Sequence, residues 1–281
     1  MVEKTHYTRK QHYIPQFHFR NFSSMEKGIY RYDLKHPDKD SIVVSIDSEC
    51  CKKDLYEIYG ENNTIISQNY IEDIFSKYES NISNAINHIK QKAMEASNLE
   101  NSLFLTSEEK TTLLIYLTLE MLRSPEIIKI GKEQFLKATE KTIEEYEANN
   151  YALLSMFPLP DVNIKENIVF FKLVEWFADK TFRVGVTDKN NIFLGDTPYC
   201  FEAESKEPDI AAFPLSSNIV LFVYPKKKTK IECRNRLFVM DEELIRIVQS
   251  SIVKVSNNWI YSYKPINKDE KEIIKDAIKV G

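Results

Sequence analysis

Apolar residues recur every three or four positions in the middle of the chain, and this spacing predicts helices there. The longest such segment runs from Ser67 to Ala96. Its apolar stripe consists of Ile71, Ile74, Phe75, Tyr78, Ile82, Ile86 and Ile89. A second segment opens with the capping-box pattern Thr106-Ser107-Glu108-Glu109 and is apolar on nearly all sides to about Leu122. A helix that is apolar all round is typical of the centre of a protein.

The pattern after Leu122 is more polar. Pro125 begins another predicted helix, which becomes acidic through Tyr146. Residues 149–160, with two asparagines and two prolines, predict a long connection. A further helix is predicted at Lys165–Ala178.

Alternating and β-branched runs predict strands on both sides of this helical middle. Near the N-terminus, residues 28–34 and 41–46 predict a hairpin with a long loop. In the C-terminal part, strands are predicted at residues 181–186, 192–194, 199–203, 219–224 and 259–263, the first two around a turn at residues 189–191. Phe213-Pro214-Leu215-Ser216 lies between two of these strands. Asp241 is expected to cap a helix to about Val253, and a charged helix ends the chain.

The order of elements favours an α+β fold over an alternating α/β fold. The helical middle, about residues 66–178, packs with the N-terminal hairpin and with a mixed or antiparallel sheet in the β-rich part, about residues 179–264. With 281 residues, the chain is expected to form a single domain over residues 1–281.

Composition excludes several classes of function. The chain has only six glycines and contains neither a dinucleotide fingerprint nor a P-loop pattern. Its net charge of −4 gives no general footprint for nucleic acid, although a local basic patch would be compatible with it. The four cysteines match no zinc spacing and, without a secretory signal, indicate a cytoplasmic protein. No apolar run approaches the roughly 18 residues that a membrane span needs.

The chemically richest stretch is Gln11-His12-Tyr13-Ile14-Pro15-Gln16-Phe17-His18-Phe19-Arg20-Asn21-Phe22. Pro15 suits the first turn of a short helix, and Ile14 before it is driven towards an extended conformation. Gln16 and Arg20 are four residues apart and share a face of that helix. Three phenylalanines would pin the helix to the core. This packing role does not account for His12, Gln16 and Arg20, so a ligand-facing role is the alternative for them.

Four sequence elements occur in order: HYIPQFHFRNF, LRSP, GDTP and FPLS. Together they resemble the bacterial family catalogued as domain of unknown function 4238, over roughly residues 11–217. The chain departs from the family pattern at Phe19, where leucine is usual, at Ser124, and at the two residues that flank Asp196. The family has no assigned activity, so the resemblance supplies positions for a site and no reaction.

The resulting candidates are His12, Asp196 and Glu120 as catalytic residues. Gln16, Arg20 and Arg123 are the candidates for substrate binding. His12 titrates near neutrality and could act as a general base or a metal ligand, and arginine forks suit phosphate. The structural alternatives are that Asp196 bonds the amides of a turn and that Arg123 bonds the last carbonyls of its helix.

Two further possibilities concern carboxylates. His12, Glu120 and Asp196 would make a mixed nitrogen and oxygen set for a divalent metal ion, although no paired spacing supports it. Glu72 and Glu79 lie seven residues apart on one helix face and could be paired carboxylates or ordinary solvated positions.

These candidates lead to two hypotheses of function. The first is a hydrolase that acts on a phosphate-containing substrate, with nucleic acid as one such substrate and a nuclease as the narrower form. The second is a non-enzymatic interaction or sensing module with a protein partner, in a bacterial defence or toxin-like system. Its motivation is the acidic segment from Pro125 to Tyr146 and the basic run at residues 226–230.

The candidates also give a geometric prediction. His12, Arg20, Arg123 and Asp196 are expected to converge on one cleft between the helical middle and the C-terminal β-rich part. A carboxylate or a bound anion between the arginines would relieve their mutual repulsion.

Overall fold

The structure, a computed structural model, describes residues 8–95, 104–157, 168–201 and 210–280, and only the backbone at residues 63, 168 and 280. The helices are α1 (Gln16–Arg20), α2 (Tyr70–Glu95), α3 (Ser107–Leu122), α4 (Pro125–Ala138), α5 (Glu145–Met156), α6 (Ile168–Ala178), α7 (Glu242–Val255) and α8 (Lys268–Val280). The strands are β1 (Lys10–His12), β2 (Gly28–Asp33), β3 (Ile42–Ser45), β4 (Cys51–Lys53), β5 (Ile58–Tyr59), β6 (Ile65–Ser67), β7 (Lys180–Val186), β8 (Leu194–Gly195), β9 (Cys200–Phe201), β10 (Ala211–Ser216), β11 (Ile219–Pro225), β12 (Leu237–Val239) and β13 (Trp259–Ser262). This is an α+β fold, which confirms the class predicted from the sequence.

Two larger sheets organise the strands. The first has the order β12-β7-β11-β10-β9, with β12 parallel to β7 and the other neighbours antiparallel. The second has the order β3-β2-β13-β8 and is antiparallel. It confirms the N-terminal hairpin of β2 and β3 and adds to it a strand from near the end of the chain. Two short pairs, β1 with β4 and β5 with β6, complete the sheets.

Strand β11 separates two hydrophobic cores. Successive side chains of a strand point to opposite faces, and those of β11 alternate between the cores. Ile219, Leu221 and Val223 pack with the helices α2 to α6. Val220 and Phe222 pack with α7, α8 and the second sheet. All five side chains are at most 1% exposed, so both faces of the strand are buried.

The helices with clear start signals match their predictions. Helix α2 carries the apolar stripe on its buried face. At the start of α3 the capping box is formed, because the Thr106 hydroxyl accepts the Glu109 amide at 3.1 Å and the Glu109 carboxylate accepts the Thr106 amide at 2.8 Å. At α7 the Asp241 carboxylate accepts the Leu244 amide at 2.8 Å. Of the described helices, none is both long and apolar enough to cross a membrane.

The helix predicted from Pro125 to Tyr146 is wrong in its extent. It ends at Ala138, and Glu140 and Lys141 follow with φ of 50° and 61°. Two successive residues in the left-handed region cannot continue a right-handed helix. A new helix, α5, begins after Glu144, whose side chain forms a capping box with Glu147. The predicted connection at residues 149–160 is therefore helical to Met156, and its prolines lie outside the described residues.

Two strand predictions also need correction. Strands β7 and β8 do not pair around the turn at residues 189–191, because β7 joins the first sheet and β8 pairs with β13. The Phe213–Ser216 stretch is not a connection but part of β10. Pro214 is tolerated there because a register shift follows it and β9 pairs only with Ala211 and Ala212. Residues 165–167 and 202–203 of two other predicted elements lie outside the described residues.

Candidate functional site

Helix α1 buries one side and exposes the other. Pro15 is its N-cap, with φ of −60°, one position before the helix begins. Phe19 and Phe22 are fully buried and fix the helix in the core. On the outer side, the Arg20 Nη2 donates to the Gln16 Oε1 at 2.8 Å, as their spacing of four residues predicts.

An open cleft of about 350 Å³ lies between this segment and helices α2 and α3. The side chains that line it come from the segment before and within α1, from the first half of α2, and from the end of α3. They are His12, Pro15, Gln16, Phe17, Arg20, Glu72, Glu79, Ser80, Ser83 and Arg123. Four of the six predicted site residues thus share one cleft.

Arg123 forms the floor of the cleft and is 3% exposed. Its Nη1 donates to the Glu79 Oε1 at 2.7 Å, and its Nη2 donates to the His12 carbonyl at 3.0 Å. The guanidinium lies 4.0 Å from the centre of the Phe75 ring. Burial by itself would lower the pKa of Arg123, but the nearby carboxylates of Glu79 and Glu72 outweigh it and raise the pKa. Arg123 is therefore a fixed cation, which orders the backbone at His12, and the alternative that it only caps its own helix is wrong.

His12 is half-buried beside Arg123. Burial lowers the pKa of the imidazole, a hydrogen bond to the backbone of Asp47 opposes this effect, and the Arg123 charge adds to it. The ring is therefore neutral at pH 7. Its Nε2 is buried and has no hydrogen-bond partner. Because the other ring nitrogen donates to the backbone, Nε2 is the free acceptor of a neutral imidazole.

Two glutamates on α2 complete the polar wall of the cleft. Glu79 is ion-paired with Arg123. Burial raises the pKa of Glu72 to about 7, although Arg123 opposes the shift and Glu79 adds to it. The Oε1 of Glu72 is buried without a partner. Both the protonated and the ionised form of Glu72 are therefore populated near neutral pH.

Unpaired polar atoms are concentrated in this cleft. In the described parts of the chain, eight buried side-chain nitrogen and oxygen atoms lack a hydrogen-bond partner. Three of them, His12 Nε2, Glu72 Oε1 and Arg123 Nε, belong to residues that line the cleft. Buried polar atoms are nearly always paired, so such a group calls for an explanation.

The comparisons with known proteins give one match. Residues 10–265 match the model of a family described as "Protein of unknown function (DUF4238)". The chain belongs to this family. No curated protein and no solved structure matches the chain.

The four DUF4238 elements of the chain divide between the cleft and the scaffold. HYIPQFHFRNF supplies His12, Gln16 and Arg20, and LRSP supplies Arg123. In LRSP, the Ser124 hydroxyl also caps α4 by accepting the Glu126 amide at 3.2 Å. GDTP and FPLS do not contribute to the cleft. In this DUF4238 protein, the first two elements therefore supply residues to the cleft, and the other two belong to the scaffold.

Asp196, from GDTP, is not among the residues that line the cleft. Its carboxylate accepts the amides of Asn257 and Asn258, both at 2.8 Å, and that of Trp259 at 3.3 Å. Burial raises the pKa of Asp196, and these hydrogen bonds counteract the increase. Asp196 thus holds the turn before β13. The predicted convergence of the four side chains fails at this residue, and the cleft lies beside α1, α2 and α3 instead of beside the C-terminal strands.

Glu120 lies in the core beneath the cleft lining and is 2% exposed. Its Oε1 is 3.1 Å from the Nδ1 of His18, which also lies 2.7 Å from the Tyr116 hydroxyl. The Nε2 of His18 donates to the Pro214 carbonyl at 2.8 Å, because a carbonyl can only accept. The network ties α1 to α3 and to β10, which gives the FPLS element a structural role. Sequence reasoning missed His18, which carried no signal beyond its place inside the first motif.

Glu72 was considered from the sequence only as half of a carboxylate pair. Its signal was its position beside the apolar stripe of α2, which it shares with Glu79. The metal set of His12, Glu120 and Asp196 is not assembled, since the last two lie outside the cleft lining. Among the described residues, no three histidine, cysteine, aspartate or glutamate side chains are placed to share a metal ion.

Proposed function

We propose that the cleft is the active site of a hydrolase for a phosphate-containing substrate, and in its narrower form of a nuclease. The observation that carries the proposal is that three residues lining one open cleft, His12, Glu72 and Arg123, each keep a buried polar atom without a hydrogen-bond partner. They combine a proton acceptor, a carboxyl that can donate a proton near neutral pH, and a cation. These are the elements that acid–base hydrolysis requires.

Each residue has a role in the proposed reaction. Arg123 and Arg20 bind the phosphate oxygens, and Gln16 orients Arg20 through its hydrogen bond. The Nε2 of His12 takes a proton from the attacking water, whose oxygen forms the new bond to phosphorus. The bond from phosphorus to the leaving oxygen breaks, and the carboxyl of Glu72 protonates that oxygen. Solvent then returns a proton from His12 to Glu72. Glu72 takes the place of Asp196 and Glu120 as the catalytic carboxyl, because Glu72 lines the cleft and those two do not.

The proposed roles predict a pH profile. The reaction requires neutral His12 and protonated Glu72. Activity should rise as the pH passes the pKa of His12, which lies below its ordinary value of 6.5. It should fall above about 7, where Glu72 loses its proton. The variant Glu72→Asp should keep an alkaline limb, whereas Glu72→Gln should remove it along with most of the rate.

An activity screen tests the proposal. The wild-type protein is assayed on bis(4-nitrophenyl) phosphate, nucleotides, single-stranded DNA and RNA, with and without magnesium. His12→Ala should lower the rate by about 10²-fold or more, as expected for loss of a general base. The matched control is His36→Ala, since His36 is exposed and contacts Asp33 away from the cleft. Equal trace activity in wild type and His12→Ala would contradict the proposal.

A sensing module is the second candidate. It is favoured by the way Arg123 is held, since Glu79, the His12 carbonyl and Phe75 together fix the guanidinium in place. Such a rigid cation suits recognition of an anion without turnover. Saturable binding of a nucleotide by the wild type, with no product in the screen, would support this candidate.

A further inference from the structure

A line of polar side chains continues along α2 beyond the cleft. Glu72, Glu79, Ser83 and Lys90 are spaced by seven, four and seven residues, so they lie on one face of the helix. The first three line the cleft. Lys90 is the next member of the line, about 10 Å beyond Ser83 at the helical rise per residue.

Lys90 is a half-buried cation without an acidic partner. Its ammonium donates to the Asn21 Oδ1 at 3.0 Å. Burial lowers the pKa of Lys90, and no neighbouring charge contributes to the shift. Within the described chain, no carboxylate forms an ion pair with it. A buried charge is normally paired, so this site is suited to an anion from outside the chain.

A second cation, Arg20, is the sequence neighbour of the residue that Lys90 contacts. Asn21, which contacts Lys90, directly follows Arg20 in α1. Arg20 is exposed, and its described partner, Gln16, is neutral. Arg20 lines the cleft together with Glu72 and Glu79, whereas Lys90 lies beyond the lining and contacts the end of α1 through Asn21. Phe17 lines the cleft as well and offers an aromatic surface.

We propose that Arg20 and Lys90 form a second anion subsite and that the cleft, with the surface of α2 beyond it, binds a single strand of nucleic acid. The distance of about 10 Å along α2 from Ser83, which lines the cleft, to Lys90 requires a ligand that extends past the cleft. An aromatic residue beside a basic track is the usual platform for single strands, because every base can stack. Cleavage of the strand rests on the proposed function, whereas its binding does not.

The test measures fluorescence anisotropy of fluorescein-labelled pentathymidylate with the full chain. Lys90→Met keeps the length of the side chain and removes its charge, and should weaken binding about tenfold. It should also reduce the slope of log affinity against log salt by about 0.7, as loss of one phosphate contact to a single strand requires. Arg20→Gln, at an exposed position that does not endanger folding, should act in the same direction. Lys90→Arg should retain binding.

Lys77→Met is the matched control, since Lys77 is an exposed lysine on another face of α2. It should leave the affinity unchanged. The proposal is overturned if the wild type does not bind the oligonucleotide, or if Arg20→Gln and folded Lys90→Met bind as Lys77→Met does. It is also overturned if the same concentration of inorganic phosphate displaces the oligonucleotide from the wild type and from Lys90→Met.

The two proposals fail in different ways. Binding that depends on Lys90, with no cleavage by the wild type, would contradict the proposed hydrolase and support the subsite. Cleavage that needs His12, with the affinity unchanged in Lys90→Met, would support the hydrolase and overturn the subsite.

Discussion

The cleft and the turn held by Asp196 are both polar regions in a mostly apolar interior, yet they are satisfied to different degrees. At the turn, one carboxylate accepts three backbone amides and a side-chain amide of Asn258. In the cleft, a buried arginine, a histidine and a glutamate each keep one atom without a partner. A carboxylate whose two oxygens accept four hydrogen bonds from one turn has a structural role. Buried atoms left unpaired in residues that line a cleft call for another explanation.

The largest effect on stability is expected at Arg123, which has both a structural role and a proposed role in ligand binding. Replacement by Met should lower the free energy of unfolding by about 3–5 kcal/mol, because it leaves Glu79 without its partner and releases the His12 carbonyl. Urea unfolding at pH 7 measures the change. The double variant Arg123→Met with Glu79→Leu should recover part of the loss. If the double variant is no more stable than the single one, the ion pair is not the source of the effect.

The next largest effect is expected at Asp196, which holds the turn. Asp196→Ala should lower the free energy of unfolding by about 3 kcal/mol, since it leaves the amides of Asn257, Asn258 and Trp259, where the turn enters β13, without their acceptor. Urea unfolding gives this number, and Asp188→Ala at an exposed position is its control. The folded fraction should still bind pentathymidylate as the wild type does. Loss of binding at full folding would place Asp196 back in the functional site.

Glu72→Gln should have an effect of similar or smaller size and of opposite sign. The pKa of Glu72 is about 7 in the folded chain against an ordinary value of 4.5, so the native state binds more protons between these values. Stability therefore falls as the pH rises through this window, by at most about 3 kcal/mol. Glutamine cannot ionise, so the variant does not lose stability in this pH range. Melting temperatures should show the variant more stable than wild type at pH 8 and nearly equal at pH 4.5. The same gain at both pH values would mean that the carboxyl is not buried as described.

The smallest effect on stability is expected at the exposed side of α1. Arg20→Gln should change the free energy of unfolding by less than about 0.5 kcal/mol, because its hydrogen bond to Gln16 is exposed to solvent. A residue with almost no effect on folding and a clear effect on ligand binding is the opposite of Asp196. Thermal unfolding and anisotropy on the same sample compare the two. A stability loss above about 1 kcal/mol would give Arg20 a structural role instead.

Sequence alone predicted the elements whose signals are local. The stripe of α2, the capping box of α3 and the cap of α7 depend on residues within one or two turns, and all three predictions are confirmed. The break after Ala138 was missed because Glu140 and Lys141 are unusual residues for a left-handed conformation. The pairing of β8 with β13 joins distant segments, and short strands carry no code for such partners.

The same division holds for the site. His12, Gln16, Arg20 and Arg123 were identified because their motifs are compact and chemically unusual, and the structure brings them to one cleft. Whether Asp196 and Glu120 face a cleft or a turn depends on tertiary contacts with Asn257 and His18, which spacing cannot reveal. In the sequence, Glu72 was a weaker candidate than Asp196 or Glu120. Its raised pKa comes from burial, which depends on the fold.

Strand β11, whose alternate side chains belong to two cores, has a consequence for cooperativity. Loss of β11 from its sheet would open both cores, because each core packs against one face of the strand. Leu221→Ala and Phe222→Ala are neighbouring substitutions in different cores, yet both should shift one and the same unfolding transition. A slip of one residue in β11 would exchange every side chain between the cores at once. Such an error is therefore far more unfavourable than a slip in a strand with one solvent face. The register of β11 thus fixes how the two cores are placed relative to each other.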